Sequence, residues 1–331
     1  MNEKIENLLK EDRKFPPSEQ LVKNANAPSS WYDEANENRL KFWQKQALTR
    51  ISWFKEPTEI LDDSNPPFFK WFKDGELNLS YNCLDRHLES DGDRIAFYWE
   101  GEPGDTQEIT YQDLYERVCK LSNALKKLGV KKGDRVAIYL GMTPEIVVSM
   151  LACARIGAVH SVVFGGFSSE ALADRINDAK AKTVITADGA WRRGEIVPLK
   201  NNVDGSLELT EYVENVIVVK RTEQDINMTD GRDHWYHDIT DNESSDCEPE
   251  IMNSEDLLYI LYTSGTTAKP KGIVHTQGGY LTGVTTTHHE VFDIKEDDIY
   301  WCAADCGWVT GHSYIVYGPL ANGATTIMFE G

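Results

Sequence analysis

Residues 262–272 read YTSGTTAKPKG, a window in which hydroxyl side chains, glycines and lysines crowd together. The apolar and aromatic run at 257–262 just before it has the length of a buried strand. Glycine lets successive backbone N–H groups point into one concavity that suits anionic oxygens, and hydroxyls and lysines add donors and positive charge. The window therefore predicts a phosphate-binding loop directly after a strand. A polar surface turn between a strand and a helix is the alternative.

The loop differs from the Walker A pattern of many nucleotide-binding proteins. That pattern requires Gly-Lys-Ser/Thr after four spacer residues. Here Gly265 is followed by the sequence TTAKP, so no lysine stands in the required place. The phosphate loop that we predict is therefore of another kind.

The composition limits the classes of partner. The chain has 331 residues, 40% of them hydrophobic, and a formal net charge of −20. This charge argues against a nucleic-acid-binding surface and against binding to an anionic membrane. The six cysteines are scattered, the N-terminus is too charged for a signal peptide, and no apolar run reaches membrane-spanning length. We predict a soluble, reduced, cytoplasmic protein without nucleic-acid or membrane partners.

From about residue 91 the pattern alternates between strand and helix. Such repeated units imply parallel strands joined by right-handed crossovers, and ligands of these sheets bind beyond the carboxyl ends of the strands. The acidic span 222–253 is predicted to be a surface excursion. Helices are predicted to begin near Thr110, Thr143 and Ser169, and strands are predicted at 94–100, 135–140, 161–163, 183–187, 216–219, 299–303 and 325–329.

A protein metal site is not predicted. Cys302, Cys306 and His312 are zinc-type ligands, but no fourth ligand follows at a suitable spacing. Adjacent histidines His288 and His289 point to different faces of a predicted helix and do not form a two-ligand site.

Four segments resemble the acetyl-CoA synthetase branch of the adenylate-forming superfamily. Residues 262–275, YTSGTTAKPKGIVH, resemble its signature loop, with Ala268 where glycine is common. Residues 71–87, WFKDGELNLSYNCLDRH, resemble its leader module, which most other branches lack. Residues 158–168, AVHSVVFGGFS, and 304–314, ADCGWVTGHSY, resemble the motifs that border coenzyme A and the acyl pocket.

The resemblance implies an α/β fold, a layered sandwich of mostly parallel sheets with flanking helices. It implies a leader module over residues 1–87 and an AMP-binding adenylation domain over residues 88–331 that is incomplete at its C-terminal end. The C-terminal lid domain of the family, with its own lysine, is expected to be absent from this sequence.

The resemblance also implies a binding site for the phosphates of ATP. Lys269 is expected to act as a catalytic residue on the transferring phosphates, whereas Lys271 is expected to support the loop. The implied phosphate-binding residues are Thr263, Ser264, Gly265, Thr266, Thr267, Lys269, Lys271 and Gly272.

A coenzyme A site and an acetate pocket are implied in the same way. The family turn that holds a phosphate of coenzyme A often reads RGGR or RGGK, and here Glu195 replaces its last basic residue. Trp308, Val309 and Thr310 are implied at the acetate pocket, although a tryptophan alone is more typical of a core. The implied coenzyme A residues are Phe164, Gly165, Arg192, Arg193, Gly194, Glu195 and Thr310.

The implied activity is that of an acetate–CoA ligase that uses ATP, Mg²⁺ and coenzyme A and passes through acetyl-adenylate. Two alternatives stay open. One is a ligase for propionate or another short acid, and the other is a non-catalytic nucleotide-binding fragment. A comparison of MgATP affinity before and after a Lys269→Ala change bears on the second alternative.

Overall fold

The computed structural model describes residues 13–263 and 270–331. Two helices meet at Asn38. The side chain of Asn38 accepts the backbone N–H of Lys41 and so caps the second helix. The elements up to residue 91 are α1 (Glu19–Asn24), α2 (Ser30–Glu37), α3 (Arg39–Arg50), β1 (Leu61–Asp62), β2 (Lys70–Trp71), β3 (Glu76–Leu77), α4 (Leu79–Cys83) and α5 (Asp85–Asp91).

Strand and helix alternate from residue 95, as predicted. Local signals fix these elements: Thr110 and Asp113 form a reciprocal capping box, and Gly129 ends the following helix with a φ of +88°. The elements are β4 (Ile95–Glu100), β5 (Thr106–Thr110), α6 (Tyr111–Lys127), β6 (Arg135–Tyr139), α7 (Pro144–Arg155), β7 (Val159–Val162), α8 (Ser169–Ala179) and β8 (Thr183–Ala187).

The second half of the chain adds shorter elements. The span 222–253 is not only a surface excursion, because it contributes a strand, β12, to the edge of the main sheet. The elements are β9 (Ala190–Arg192), β10 (Glu195–Val197), α9 (Leu199–Leu207), β11 (Asn215–Val219), β12 (Asp233–Trp235), α10 (Tyr236–Thr240), β13 (Met252–Asn253), β14 (Leu257–Thr263), β15 (Lys271–Thr276), α11 (Gln277–Glu290), β16 (Ile299–Trp301), α12 (Val309–Gly311), a π-helical segment (His312–Tyr317), α13 (Gly318–Ala321) and β17 (Thr325–Phe329).

The main sheet has the strand order β12-β11-β8-β6-β7-β14-β15. Its first six strands are parallel, and β15 runs antiparallel to β14. Helix α7 lies between layers: every residue of it except Glu145 is buried. These observations confirm the predicted α/β fold with mostly parallel strands and flanking helices.

A second sheet has the strand order β16-β17-β4-β5. One face of it packs into the apolar core through Phe97, Trp99 and Met328. The strand predicted at 299–303 ends at Trp301, and Ile299 and Trp301 are exposed on the opposite face rather than buried. Among the described residues, no helix combines the length and the apolar character that a membrane crossing requires.

Candidate functional site

The predicted phosphate loop connects β14 and β15, an antiparallel pair. Thr263 pairs with Lys271 at the end of the ladder, and Tyr262 pairs with Gly272. A short strand that the sequence did not predict, β15, therefore separates the loop from helix α11. The other predicted loop residues lie outside the described part of the chain: Ser264, Gly265, Thr266, Thr267 and Lys269.

Gly272 allows the two strands to approach closely beside the loop. A Cβ at this position would lie 2.9 Å from Cγ2 of Ile260 and 3.2 Å from Cε1 of Tyr262. Contacts this short force neighbouring atoms to move, and Cγ2 of a β-branched side chain has little freedom to do so. The glycine therefore has a packing role, whether or not its N–H binds a phosphate.

A smaller cavity of about 350 Å³ lies between this hairpin and the segment that leads into α12. Thr263 from the predicted phosphate site and Trp308, Val309 and Thr310 from the predicted acetate pocket line the same space. The smaller cavity thus brings together residues that are far apart in sequence. The residues that line this cavity are Leu261, Tyr262, Thr263, Ile273, His275, Gly307, Trp308, Val309 and Thr310.

A larger cavity of about 510 Å³ lies beyond the carboxyl ends of β6, β7, β9 and β17. Four of the residues predicted to bind coenzyme A line it: Phe164 and Gly165 after β7, Arg192 at the end of β9, and Thr310. The position agrees with the rule that ligands of parallel sheets bind beyond the carboxyl ends of strands.

Trp308 and Thr310 line both cavities. The ring of Trp308 lies 5.0 Å from the ring of Phe164, measured between centroids. The guanidinium carbon of Arg192 lies 4.6 Å from the centroid of the Phe164 ring. Trp308 is 48% exposed and Val309 is 46% exposed. Trp308 is therefore part of a cavity wall and not the core residue that tryptophan more often is.

Arg193, Gly194 and Glu195 lie in the tight turn between β9 and β10. Arg193 has a φ of +53° and Gly194 a φ of +77°, as in the two-residue turns that match the twist of a hairpin. Glu195 stands opposite Arg192 in the antiparallel ladder. These three residues do not line the larger cavity. The residues predicted to bind coenzyme A therefore form two groups, those in the cavity wall and those in this turn.

Asp305 is a wall residue of the larger cavity that the sequence does not single out. Its Oδ1 accepts the backbone N–H of Gly307 at 2.6 Å. Burial nevertheless raises the pKa of Asp305, while that hydrogen bond and the charge of Arg192 act in the opposite direction. Tyr262 and His275, which line the smaller cavity, are also outside the predicted set.

The floor beneath the smaller cavity is a stack of aromatic and imidazole rings. Tyr259 stacks on His275 with ring centroids 4.6 Å apart and lies 4.4 Å from the ring of His312. Burial lowers the pKa of His275 and lowers the pKa of His312 to about 4. This floor is therefore uncharged at neutral pH. Across the described ranges, no three histidine, cysteine or acidic side chains come together as metal ligands.

Two family profiles match the chain. Residues 84–331 match the profile of the AMP-binding enzyme family, and this match covers most of the sequence. The chain belongs to the AMP-binding enzyme family. Residues 29–83 match a profile described as the acetyl-coenzyme A synthetase N-terminus. The resemblance expected from residues 71–87 and 262–275 is therefore confirmed.

Curated relatives within this family carry the name acetyl-coenzyme A synthetase. The protein from Streptomyces avermitilis is 60% identical over 332 residues, which is 100% of this chain and 51% of the relative. The Streptomyces coelicolor protein is 59% identical over the same shares. The Mycolicibacterium smegmatis protein is 55% identical over 96% of this chain and 34% of the relative. The chain thus spans about half the length, or less, of these relatives.

Proposed function

We propose that the chain carries the phosphate, acyl and thiol sites of an AMP-forming acetate–CoA ligase. A carboxylate oxygen of acetate attacks the α-phosphorus of MgATP, and pyrophosphate leaves. The sulfur of coenzyme A then attacks the carbonyl carbon of acetyl-adenylate, AMP leaves, and the thiol proton passes to solvent. The observation that carries the proposal is the pair of cavities that share Trp308 and Thr310, because the acyl group must meet both the phosphates and the thiol.

The hairpin β14–β15 supplies the phosphate site in this proposal. Thr263 and Lys271 flank the loop, and Lys269 within it provides the positive charge for the transferring phosphates. Donors and cations fixed before the reaction stabilise charge that develops on phosphate oxygens. The residues proposed to bind phosphate are Thr263, Ser264, Gly265, Thr266, Thr267, Lys269, Lys271 and Gly272.

Mg²⁺ enters as part of MgATP. The described residues that line the smaller cavity include no carboxylate. Since Mg²⁺ in such sites keeps several waters and uses substrate phosphates as ligands, this lining fits a phosphate-bound ion. The ion would neutralise charge on the phosphates as pyrophosphate leaves.

Acetate is placed against Trp308, Val309 and Thr310, and coenzyme A in the larger cavity. The apolar surfaces of Trp308 and Val309 suit a methyl group. Arg192 offers a planar cation for a phosphate, and Phe164, Gly165 and Thr310 line the path towards the acyl pocket. Arg193, Gly194 and Glu195 are proposed to border the same ligand from the turn. A cytoplasmic location is part of the same proposal.

The decisive experiment combines two measurements on the chain: binding of MgATP by calorimetry, and acetate-dependent exchange of labelled pyrophosphate into ATP. We expect MgATP to bind and the Lys269→Ala variant to bind it at least about tenfold more weakly, since a charge-assisted phosphate contact is lost. Lys127→Ala is the matched control, because Lys127 pairs with Glu243 on the surface at the end of α6.

Each outcome discriminates between the candidate functions. Exchange with acetate supports the ligase, and faster exchange with propionate favours the related short-acid ligase. MgATP binding without any exchange favours a nucleotide-binding module. No MgATP binding, or equal weakening by Lys269→Ala and Lys127→Ala, contradicts the phosphate site.

A further inference from the structure

An amine and a thiol from distant parts of the chain meet at the end of α6. Lys126, in the last turn of this helix, donates a hydrogen bond from Nζ to Sγ of Cys247 at 3.1 Å. The lysine is exposed, whereas Cys247 is only 5% exposed. Neither residue lines the two cavities proposed for the substrates. The pair is therefore separate from the candidate site.

Neighbouring hydrogen bonds hold the segment that carries Cys247 against two helices. Nδ2 of Asn123 in α6 donates to the carbonyl oxygens of Ser244 and Asp246, both at 3.0 Å. Nε of Arg155, at the end of α7, donates to the carbonyl oxygen of Cys247 at 2.5 Å. Because the backbone of the segment is bound in this way, the thiol is held next to the amine by more than their own contact.

A third cavity, of about 340 Å³, lies beside the same segment. Asp246 and Glu248, which flank the cysteine in sequence, line this cavity together with Tyr115. A small peroxide fits into such a volume, since a water molecule takes up only about 30 Å³ in the liquid. An oxidant can therefore approach a cysteine that itself exposes little surface.

The remaining cysteines have environments that oppose oxidation. The thiolate, not the thiol, is the form that reacts with a peroxide. Burial raises the pKa of each thiol outside the pair, which are those of Cys83, Cys119, Cys153, Cys302 and Cys306. A sulfur anion at Cys247 would be attracted by the ammonium group of Lys126. We therefore expect oxidation to be selective for Cys247.

We propose that Cys247 and Lys126 form a covalent sulfur–nitrogen link when a peroxide oxidises the thiol. Hydrogen peroxide first transfers one oxygen atom to Sγ, which gives a sulfenic acid and one molecule of water. The unprotonated amine of Lys126 then attacks the sulfur, and the hydroxyl group leaves with an amine proton as a second molecule of water. The two side chains together lose two hydrogen atoms, and the peroxide is reduced.

A thiol reductant reverses the link. Two molecules of the reductant supply the two hydrogen atoms, restore the cysteine thiol and the lysine amine, and become a disulfide. In the linked state the 243–247 segment is joined covalently to α6. This inference concerns a modification site and does not depend on the proposed reaction.

The test is treatment of the whole reduced chain with hydrogen peroxide, followed by tryptic digestion without reductant and mass spectrometry. We expect one species in which the peptides of Lys126 and Cys247 are joined, two hydrogen atoms lighter than their sum, with no cleavage after Lys126. Dithiothreitol should separate the two peptides. Amide hydrogen exchange at 243–247 should slow in the linked chain and recover after reduction.

Two conservative variants separate the role of the amine from that of its charge. Lys126→Arg keeps a positive charge beside the sulfur but replaces the amine with a guanidinium, a far weaker nucleophile. We expect the joined species to be lost, and Cys247 to accumulate as sulfinic acid instead. Lys127→Arg is the matched control, because Lys127 is the next residue of α6 and pairs with Glu243. It should form the link as the unmodified chain does.

Several results would overturn the proposal. One is a sulfenic or sulfinic acid at Cys247 of the unmodified chain without any joined species, and another is a disulfide between Cys247 and a second cysteine such as Cys119. Equal formation of the link in Lys126→Arg and Lys127→Arg also contradicts it. So does oxidation of the partly exposed Cys302 while Cys247 stays reduced. Circular dichroism checks that both variants are folded.

Discussion

His312 is buried behind the wall that Trp308 forms, and its environment disfavours the charged imidazole. Its Nδ1 lies 3.0 Å from the carbonyl oxygen of Trp308, and its ring stacks on that of His160 with centroids 5.8 Å apart. Burial lowers the pKa of His312 to about 4. A histidine in an unfolded chain titrates near pH ~6.5. Between these values the unfolded chain therefore binds more protons than the folded one.

Stability should consequently fall as the pH is lowered through this window. Proton linkage gives a loss of about 2 kcal/mol from His312 alone between pH ~7 and ~5. We expect the free energy of unfolding in urea to drop over this range, and the drop to be smaller by about that amount in His312→Gln. The readout is the difference between the two pH values, since the substitution also changes stability at every pH.

His237→Gln provides the control for this measurement. The side chain of His237 is 49% exposed, whereas that of His312 is buried. We expect its pH dependence to match that of the unmodified chain. An unchanged slope in His312→Gln would show that the buried imidazole does not contribute to the pH dependence.

Residues of the candidate site differ in how far sequence could reveal them. Trp308, Val309 and Thr310 belong to one contiguous motif, and the sequence therefore singled them out. Asp305 and His275 lie within the quoted motifs at 304–314 and 262–275, but no role was predicted for them, because membership of a cavity wall is a property of tertiary packing.

In the hairpin β9–β10, Glu195 stands where the family turn often carries a basic residue. Arg192 and Glu195 face each other on its two strands, next to the larger cavity. A carboxylate here opposes the binding of a phosphate, and exchanging it for an ammonium reverses that effect. We expect Glu195→Lys to bind coenzyme A severalfold more tightly, about the size of exposed charge effects, and dephospho-coenzyme A with less change.

Calorimetric titration with both ligands at two salt concentrations measures this difference. The gain should shrink in high salt because exposed charges are screened. Glu89→Lys on α5 makes the same change in net charge at an exposed position away from the hairpin. If Glu89→Lys tightens coenzyme A binding equally, the hairpin has no specific contact with the phosphate.

At the scale of elements, the predictions succeeded where local chemistry sets the boundaries. The capping box at Thr110 and Asp113 and the left-handed Gly129 belong to single segments, so helix α6 was readable. The short edge strands were not. Strand β12 and the exposure of β16 depend on which neighbours lie beside them in the sheet, and a three-residue strand has too little periodicity to reveal this.

At the scale of the whole molecule, buried hydrogen bonds connect the segment before residue 88 with the segment after it. The domain boundary between residues 87 and 88 stays a prediction. Arg155 at the end of α7 is 1% exposed and donates two hydrogen bonds of 2.8 Å to the carboxylate of Asp85. The buried amide of Asn78 donates to the carbonyls of Ala154 and Arg155, at 3.0 and 3.1 Å. The N-terminal segment therefore satisfies the polar groups at the end of a central helix.

Removal of this buried ion pair should destabilise the molecule as one unit. Asp85→Asn leaves the guanidinium of Arg155 buried without its counter-charge, which typically costs about 3–5 kcal/mol. Asp85→Asn combined with Arg155→Met should recover most of that loss, because the buried charge is removed with its partner.

Urea unfolding followed by tryptophan fluorescence and by circular dichroism should give coincident transitions for the unmodified chain, the single variant and the double variant. Glu214→Gln is the control: it breaks the exposed 2.9 Å pair with Lys182 and should cost about 1 kcal/mol at most. A loss in Asp85→Asn no larger than that in Glu214→Gln, or two separate transitions, would show that the N-terminal segment is stable without this contact.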